Sequence, residues 1–247
     1  MAETRRRTAI VTGASGGIGG AIASALAKCD LHVCLVGRDI EGLRQFAARE
    51  LPAGASSSLV QADLATDDGV RALVAAAEVM GRVDVLVHAA GVLHLGDLMA
   101  ASAGDLDELY RVNLRAPFLL TQALLPCLAA ARGQLVFVSS SAALCPREDN
   151  GLYAATKAGL TALADSIRQR VNPLGVRVLS VFPGRTATRM QERIHAFEGK
   201  SYDAAKLLQP SDLAAVVVHA LMLPRTAEVT EVKVRPMVKP ADTGGAR

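Results

Sequence analysis

Short runs rich in Val, Ile and Leu alternate along the chain with longer stretches in which apolar residues recur every three to four positions. This alternation predicts strand–helix–strand units feeding a parallel sheet. The runs at 8–12, 32–36, 58–61, 83–88, 134–139, 176–182 and 229–234 read as strands. Most lack the period-2 alternation of a sheet with one wet face, so both faces are expected to be covered. Helical period predicts helices over 18–28, 41–49, 67–80, 105–130, 153–170 and 212–223. Thr66 ahead of Asp67 and Asp68, and Ser211 ahead of Asp212, supply N-cap signals, while Pro117 and Pro126 predict a kink or break in the fourth helix. No repeat or linker divides the chain, so the expectation is α/β, a doubly wound parallel sheet of about seven strands with helices on both faces, as one domain over 1–247. The weakly periodic stretch 185–209 follows the sixth strand, where a ligand lid would lie, and 239–247 reads as a frayed tail.

Composition excludes several classes. Apolar residues make up 51% of the 247 and charged ones 21%, far from the signature of disorder and enough for a sizeable core. A net charge of +3 with no basic stripe interleaved with aromatics argues against a nucleic-acid partner. Cys29, Cys34, Cys127 and Cys145 have neither zinc-site spacing nor a disulfide framework, so no metal is expected and free thiols in the cytoplasm are the simpler reading. Arg5, Arg6 and Arg7 ahead of an apolar stretch imitate a secretory leader. Gly13, Gly16, Gly17, Gly19 and Gly20 interrupt it, and no segment reaches the ~18 continuous apolar residues of a span, so no membrane partner is expected.

The first strand runs through Thr12, Gly13, Ala14, Ser15, Gly16, Gly17, Ile18 and Gly19 into a helix. Glycines there let the backbone turn tightly and approach a pyrophosphate, whose charge meets the free N–H groups of the helix N-terminus. Arg38 closes the second strand, where such a fold tests the adenosine ribose; a guanidinium grips a 2′-phosphate, which favours NADP(H) over NAD(H). Asp63, followed by Leu64, is placed either to meet the adenine edge or to serve as a turn residue. Ala89, Ala90 and Gly91 end the fourth strand beside the ribose.

Tyr153 and Lys157 stand one helical turn apart on one face, and an ammonium there, joined by the positive nicotinamide of an oxidised cofactor, is expected to draw the phenol down toward working pH. Tyr202 and Lys206 repeat the spacing. Only the first pair follows a cluster of hydroxyls, Ser139, Ser140 and Ser141, at the carboxyl edge of the sheet, so the second is assigned to a solvated or substrate-contacting lid. The lid cations Arg185, Arg189, Arg193 and Lys200 read as a solvated face or as a welcome for an anionic substrate. His32, His94, His195 and His219 show no partner pattern and read as surface or core.

From Thr8 to about Pro236 the sequence resembles the short-chain dehydrogenase/reductase family, a Rossmann-like fold, on the glycine loop, Asp63, Ala89-Ala90-Gly91, Asn113, the serine cluster, Tyr153 with Lys157, and Pro183-Gly184 followed by Thr188. The resemblance implies hydride transfer between NADP(H) and a small-molecule carbonyl or alcohol. It implies Tyr153 as general acid, Ser140 on the substrate oxygen, Lys157 on the nicotinamide ribose, and Asn113 anchoring a water that leads to Lys157. Pro183, Gly184, Thr186 and Thr188 would surround the carboxamide. A homodimer or homotetramer through the fourth and fifth predicted helices is implied as well. His88 and Ala89 depart from the family's asparagines, which questions a sheet-bridging hydrogen bond. The rival reading is a non-catalytic NADP-binding regulator on the same fold, with a dehydratase or epimerase as a third.

Overall fold

A computed structural model describes residues 6–238. The strands are β1 (Thr8–Thr12), β2 (His32–Gly37), β3 (Ser57–Gln61), β4 (Val85–His88), β5 (Gln134–Val138), β6 (Arg177–Pro183) and β7 (Glu231–Val234). The helices are α1 (Gly17–Lys28), α2 (Ile40–Glu50), α3 (Asp67–Met80), α4 (Ala103–Tyr110), α5 (Ala116–Ala130), α6 (Gly151–Val171), α7 (Arg189–Phe197) and α8 (Pro210–Met222). All strand pairs are parallel, in the order β3-β2-β1-β4-β5-β6-β7, the doubly wound Rossmann-like arrangement the pattern predicts.

Successive strand residues face opposite layers. Val11, Val87 and Val136 pack with Ile22 and Leu26 of α1 and Val217 and Leu221 of α8. Ile10, Leu86, Leu135 and Phe137 pack with Leu73 of α3, Leu124 of α5 and Leu160 of α6. Burial on both faces is why the strands read as unbroken apolar runs. The chain winds outward from β1 to β3 and then returns to place β4 on the other side of β1, and this reversal opens a crevice at the carboxyl ends of β1 and β4.

Several boundaries correct the sequence reading. The fourth predicted helix starts earlier, where Ser102 and Asp105 form a capping box, and it is interrupted by a π turn, Arg111–Arg115, in which the Ala116 N–H donates to the Arg111 carbonyl. Pro117 follows that turn and cannot donate to the Asn113 carbonyl, which puts the break before Pro117, whereas Pro126 is carried inside α5. Thr66 caps α3 as expected, accepting from the Gly69 N–H. Ser211 does not cap α8: Gln209 holds that position and Pro210 opens the helix, where its missing N–H costs nothing. The stretch 185–209 contains a helix, α7, that short length and dense charge conceal. The tail at 239–247 lies outside the described residues. Counting its π turn, the helix Ala103–Ala131 is long and apolar enough by length and composition to cross a membrane. In the fold its Leu120, Leu124 and Leu128 lie in the core against the sheet. The leader-like start likewise builds β1 and α1 of the core.

Candidate active site

At the crevice, side chains would fill the space that the glycines leave. Gly13 has φ +67°, and a Cβ on it would lie 2.8 Å from Ala90 Cα. A Cβ on Gly19 would lie 2.5 Å from the Gly13 carbonyl oxygen. With hydrogens instead, the loop closes tightly against the start of α1, whose N-cap, Gly16, offers no side chain to cover the first N–H groups. A cavity of about 250 Å³ opens beside it, lined by Gly13, Ser15, Arg38, Asp63, Leu64, Ala89, Ala90 and Gly91 among others. Arg38 is exposed at its edge. Asp63 serves as a turn residue, Oδ1 accepting from the Ala65 N–H at 3.0 Å, and it also lines the cavity.

The ends of β1 and β4 are joined by one hydroxyl. Thr12 Oγ1 accepts from the N–H groups of Ala89 at 3.0 Å and Ala90 at 3.1 Å and donates to the Val87 carbonyl at 3.2 Å. The bridge questioned at His88 and Ala89 is thus made through backbone groups. The His88 imidazole turns instead to Thr121 Oγ1, 2.9 Å from Nε2, and stacks on Phe137 at 4.8 Å between ring centres. Burial pulls it down to about 3, so it stays neutral.

Through Ala89 and Gly91 the crevice continues into a second cavity, of about 300 Å³, which contains Ser140, Tyr153 and Lys157. The three serines after β5 have separate tasks. Ser139 is buried, with Oγ 3.1 Å from the Lys157 carbonyl; Ser140 reaches the Tyr153 hydroxyl and accepts from the Ala142 N–H at 3.1 Å; Ser141 is exposed. Tyr153 and Lys157 are both buried, with Lys157 Nζ 5.9 Å from the phenol ring centre. That ammonium donates to the Val138 carbonyl at 2.9 Å. The ammonium by itself does not supply the expected lowering of the phenol. Burial raises Tyr153 above its ordinary value, with the Ser140 hydrogen bond as the opposing influence, so the group is a protonated phenol at neutral pH. Burial also pulls Lys157 down to about 8.

Asn113 is fully buried, but its side-chain amide holds protein groups. Oδ1 accepts from the Val92 N–H, and Nδ2 donates to the Val92 carbonyl and to Thr156 Oγ1, at 3.0, 3.0 and 3.1 Å. Pro117, four residues on, has no N–H to offer the Asn113 main-chain carbonyl.

Ile18, Pro183, Gly184, Thr186 and Thr188 line the 300 Å³ cavity from the opposite side. Thr188 caps α7 by accepting from the Gln191 N–H, and lies next to Gly17. The second tyrosine–lysine pair is not on a shared α-helix: Tyr202 sets its ring edge against His195 at 5.4 Å, and Lys206, in a short 3-10 turn, pairs with Asp203 in solvent. His32 lies between Ser56 and Ser58, His94 meets Asp105, and His195 bonds Gln191, while His219 is exposed. Leu93, Leu95, Cys145, Arg147, Met190, Gln191 and Ile194 complete the wall. Sequence reading did not bring these residues together as a wall, because positions drawn from two loops and the short helix α7 share no spacing signal. Among the described residues no group of three His, Cys, Asp or Glu side chains could hold a metal ion, and the four cysteines are free thiols.

The short chain dehydrogenase family matches residues 7–199. An uncharacterized short-chain type dehydrogenase/reductase from Sinorhizobium fredii is 35% identical over 237 residues, covering 94% of this chain and 92% of the relative. Among solved structures, a metagenomic short-chain oxidoreductase in complex with NADP is similar at a TM-score of 0.81 and 33% identity, covering 96% of this chain and 100% of its own. The 3-ketoacyl-(acyl-carrier-protein) reductase from Brucella melitensis, complexed with NADH, is similar at 0.80 and 25% identity, covering 94% and 98%. The parallel sheet with its glycine-closed crevice, and relatives matched over nearly their full length, place this chain in the short-chain dehydrogenase family of oxidoreductases.

Proposed function

We propose that this chain is a cytoplasmic, single-domain NADP(H)-dependent carbonyl reductase or secondary-alcohol dehydrogenase. The observation that carries the reading is half-buried Ser140 beside buried Tyr153 and Lys157, at the end of a crevice that the glycine loop flanks. The crevice fits a dinucleotide: Gly13 and Gly19 admit close backbone approach, Ser15 and the α1 N-terminus would meet the pyrophosphate, and Asp63, Leu64, Ala89, Ala90 and Gly91 would flank the adenosine and ribose. Pro183, Gly184, Thr186 and Thr188 would hold the nicotinamide end. When bound, the cofactor supplies the hydride.

This chain's residues manage the proton. Ser140 donates to the carbonyl oxygen and orients it beside Tyr153, and the protonated phenol gives its proton to that oxygen as charge develops. A phenol held above its ordinary value starts in the form needed for reduction. Lys157 as a cation stabilises the phenolate that remains, and Asn113 fixes the loop at Val92 beside it. Exposed Leu106, Tyr110 and Phe118 on α4 and α5, which together form the fourth predicted helix, support self-assembly through that helix and α6, the fifth.

Two tests belong here. Arg38 at the crevice edge supports the 2′-phosphate preference, although one similar structure carries NADH. Ketone-dependent oxidation of NADPH and NADH, compared before and after Arg38→Asp, is expected to show at least a tenfold loss of NADPH preference, the order of one charge-assisted hydrogen bond. Equal use of both cofactors by the unaltered protein would remove the phosphate argument. The second test is pH. Lys157 is lowered to about 8, so reduction is expected to fall as pH rises through that value and the cation is lost. Folding stability moves the other way: between pH 8 and 10.5 the unfolded lysine keeps a proton that the native one has released, so this group's contribution to stability rises with pH. A pH–rate profile beside a pH series of thermal melts separates the two, and activity that does not decline above pH 8 would contradict the cationic role.

A further inference from the structure

Beyond Ser140 and Tyr153 the cavity is walled by Leu93, Leu95, Met190 and Ile194, with two guanidiniums, Arg147 and Arg185, on its lining. Bare guanidiniums at such a wall would recruit a carboxylate or phosphate substrate. Neither is bare. Glu198, whose side chain is 8% exposed, accepts from Nη1 and Nη2 of Arg185, the first at 2.9 Å, and from Arg147 Nη2 at 2.8 Å. Lys200 Nζ stands 3.2 Å from the same carboxylate. Arg147 Nη2 also donates to Asp149 Oδ2 at 3.0 Å, and Asp149 Oδ1 is buried with no hydrogen-bond partner among the described residues. Glu198, Asp149 and Lys200 are absent from the lining itself. Two lining cations are thus held in ion pairs by two carboxylates set behind them, with Lys200 as a third cation on Glu198 away from the lining. The surrounding cations hold Glu198 down to about 2, so it is ionised throughout the neutral range.

Resting on the carbonyl-reduction reading above, we propose that Glu198 sets the charge preference of the substrate site: by engaging the guanidinium donors of Arg147 and Arg185 from behind, it reserves the cavity for uncharged carbonyl compounds with an apolar flank. Glu198 acts through the two arginines and is a positioning residue. A carboxylate-bearing ketone must compete with Glu198 for guanidinium donors that are already engaged, whereas a neutral ketone meets the apolar wall without that competition.

The test uses a matched pair, acetophenone and 4-acetylbenzoate, with binding to the NADP-loaded protein read by calorimetry and turnover by NADPH absorbance. In the unaltered protein acetophenone is expected to bind more tightly. Glu198→Gln keeps the size of the side chain and removes its charge. The affinity ratio of 4-acetylbenzoate to acetophenone is then expected to rise about tenfold, as for one charge-assisted hydrogen bond, and to return when Arg185→Met is added. A merely structural loosening of α7 would weaken both ketones alike. If Glu198→Gln does not fold, Arg185→Met alone removes one lining cation and leaves both carboxylates in place, so the same ratio must drop and 4-(aminomethyl)acetophenone must gain. An unchanged ratio in whichever of these variants folds overturns the proposal. Binding that shifts as described without any ketone turnover would sink the reductase reading and leave the charge assignment standing; turnover with an unshifted ratio would do the reverse.

Discussion

Replacing Tyr153 with Phe is expected to lower kcat/KM for ketone reduction by about 10²–10⁴-fold, the range for loss of a positioned general acid. The ring is buried, so Phe keeps its packing and deletes only the oxygen that Ser140 reaches. Thermal stability and cofactor affinity should therefore stay close to those of the parent, which separates a chemical loss from a folding loss. Lys206→Ala is the matching control, since Lys206 is exposed, pairs with Asp203 and does not line the cavity; its activity should be unchanged. Activity kept by the Phe variant and lost with Lys206 would move the chemistry to the second tyrosine–lysine pair.

Gly19→Ala is expected to damage both the fold and the crevice. The new methyl would sit 2.5 Å from the Gly13 carbonyl oxygen and 3.0 Å from that of Thr12, both backbone atoms with no rotamer to escape into. Overpacking of this kind costs about 1–3 kcal/mol, and in a chain of this size each kcal/mol lowers Tm by about 2–4 °C. Relief requires the Gly13 carbonyl to move away from Gly19, which distorts the glycine loop, so NADPH affinity should fall at least tenfold. Gly104→Ala provides the contrast. Its Cβ would stand 3.6 Å from Ser102 Oγ in the first turn of α4, an ordinary contact, and replacing a helical glycine there should leave Tm unchanged or raise it. Calorimetry and cofactor titration on the two variants check this, and a Gly19→Ala protein with parental Tm and affinity would show that the loop yields easily.

The inner strands were legible because both of their faces are buried, which writes itself into the sequence as continuous apolar runs such as Ile10 to Val11 and Val85 to Val87. The glycine loop and the first tyrosine–lysine pair were legible because their spacing is local. The sense of the Tyr153 shift was not, since the sequence shows that Lys157 is a neighbour but not that the ring is desolvated or that the ammonium bonds the Val138 carbonyl. Helix α7 hid behind its charges, Arg189, Glu192 and Arg193. The cluster on Glu198 joins Arg147 to a residue 51 positions away, and no period or motif encodes such a meeting.

The placement of β4 against β1 has a consequence for how the chain acquires its ligand site. Val11 pairs with Val87, and the Thr12 hydroxyl reaches Ala89, 77 positions later. Parallel pairing across such a separation is entropically slow to form, so the nucleotide cleft matures late, after the β1–β3 unit has already wound. A dinucleotide that needs both strand ends then binds the assembled molecule far better than any partly folded one. Cellular cofactor supply would accordingly protect the protein against global unfolding and proteolysis, coupling its lifetime to its redox partner.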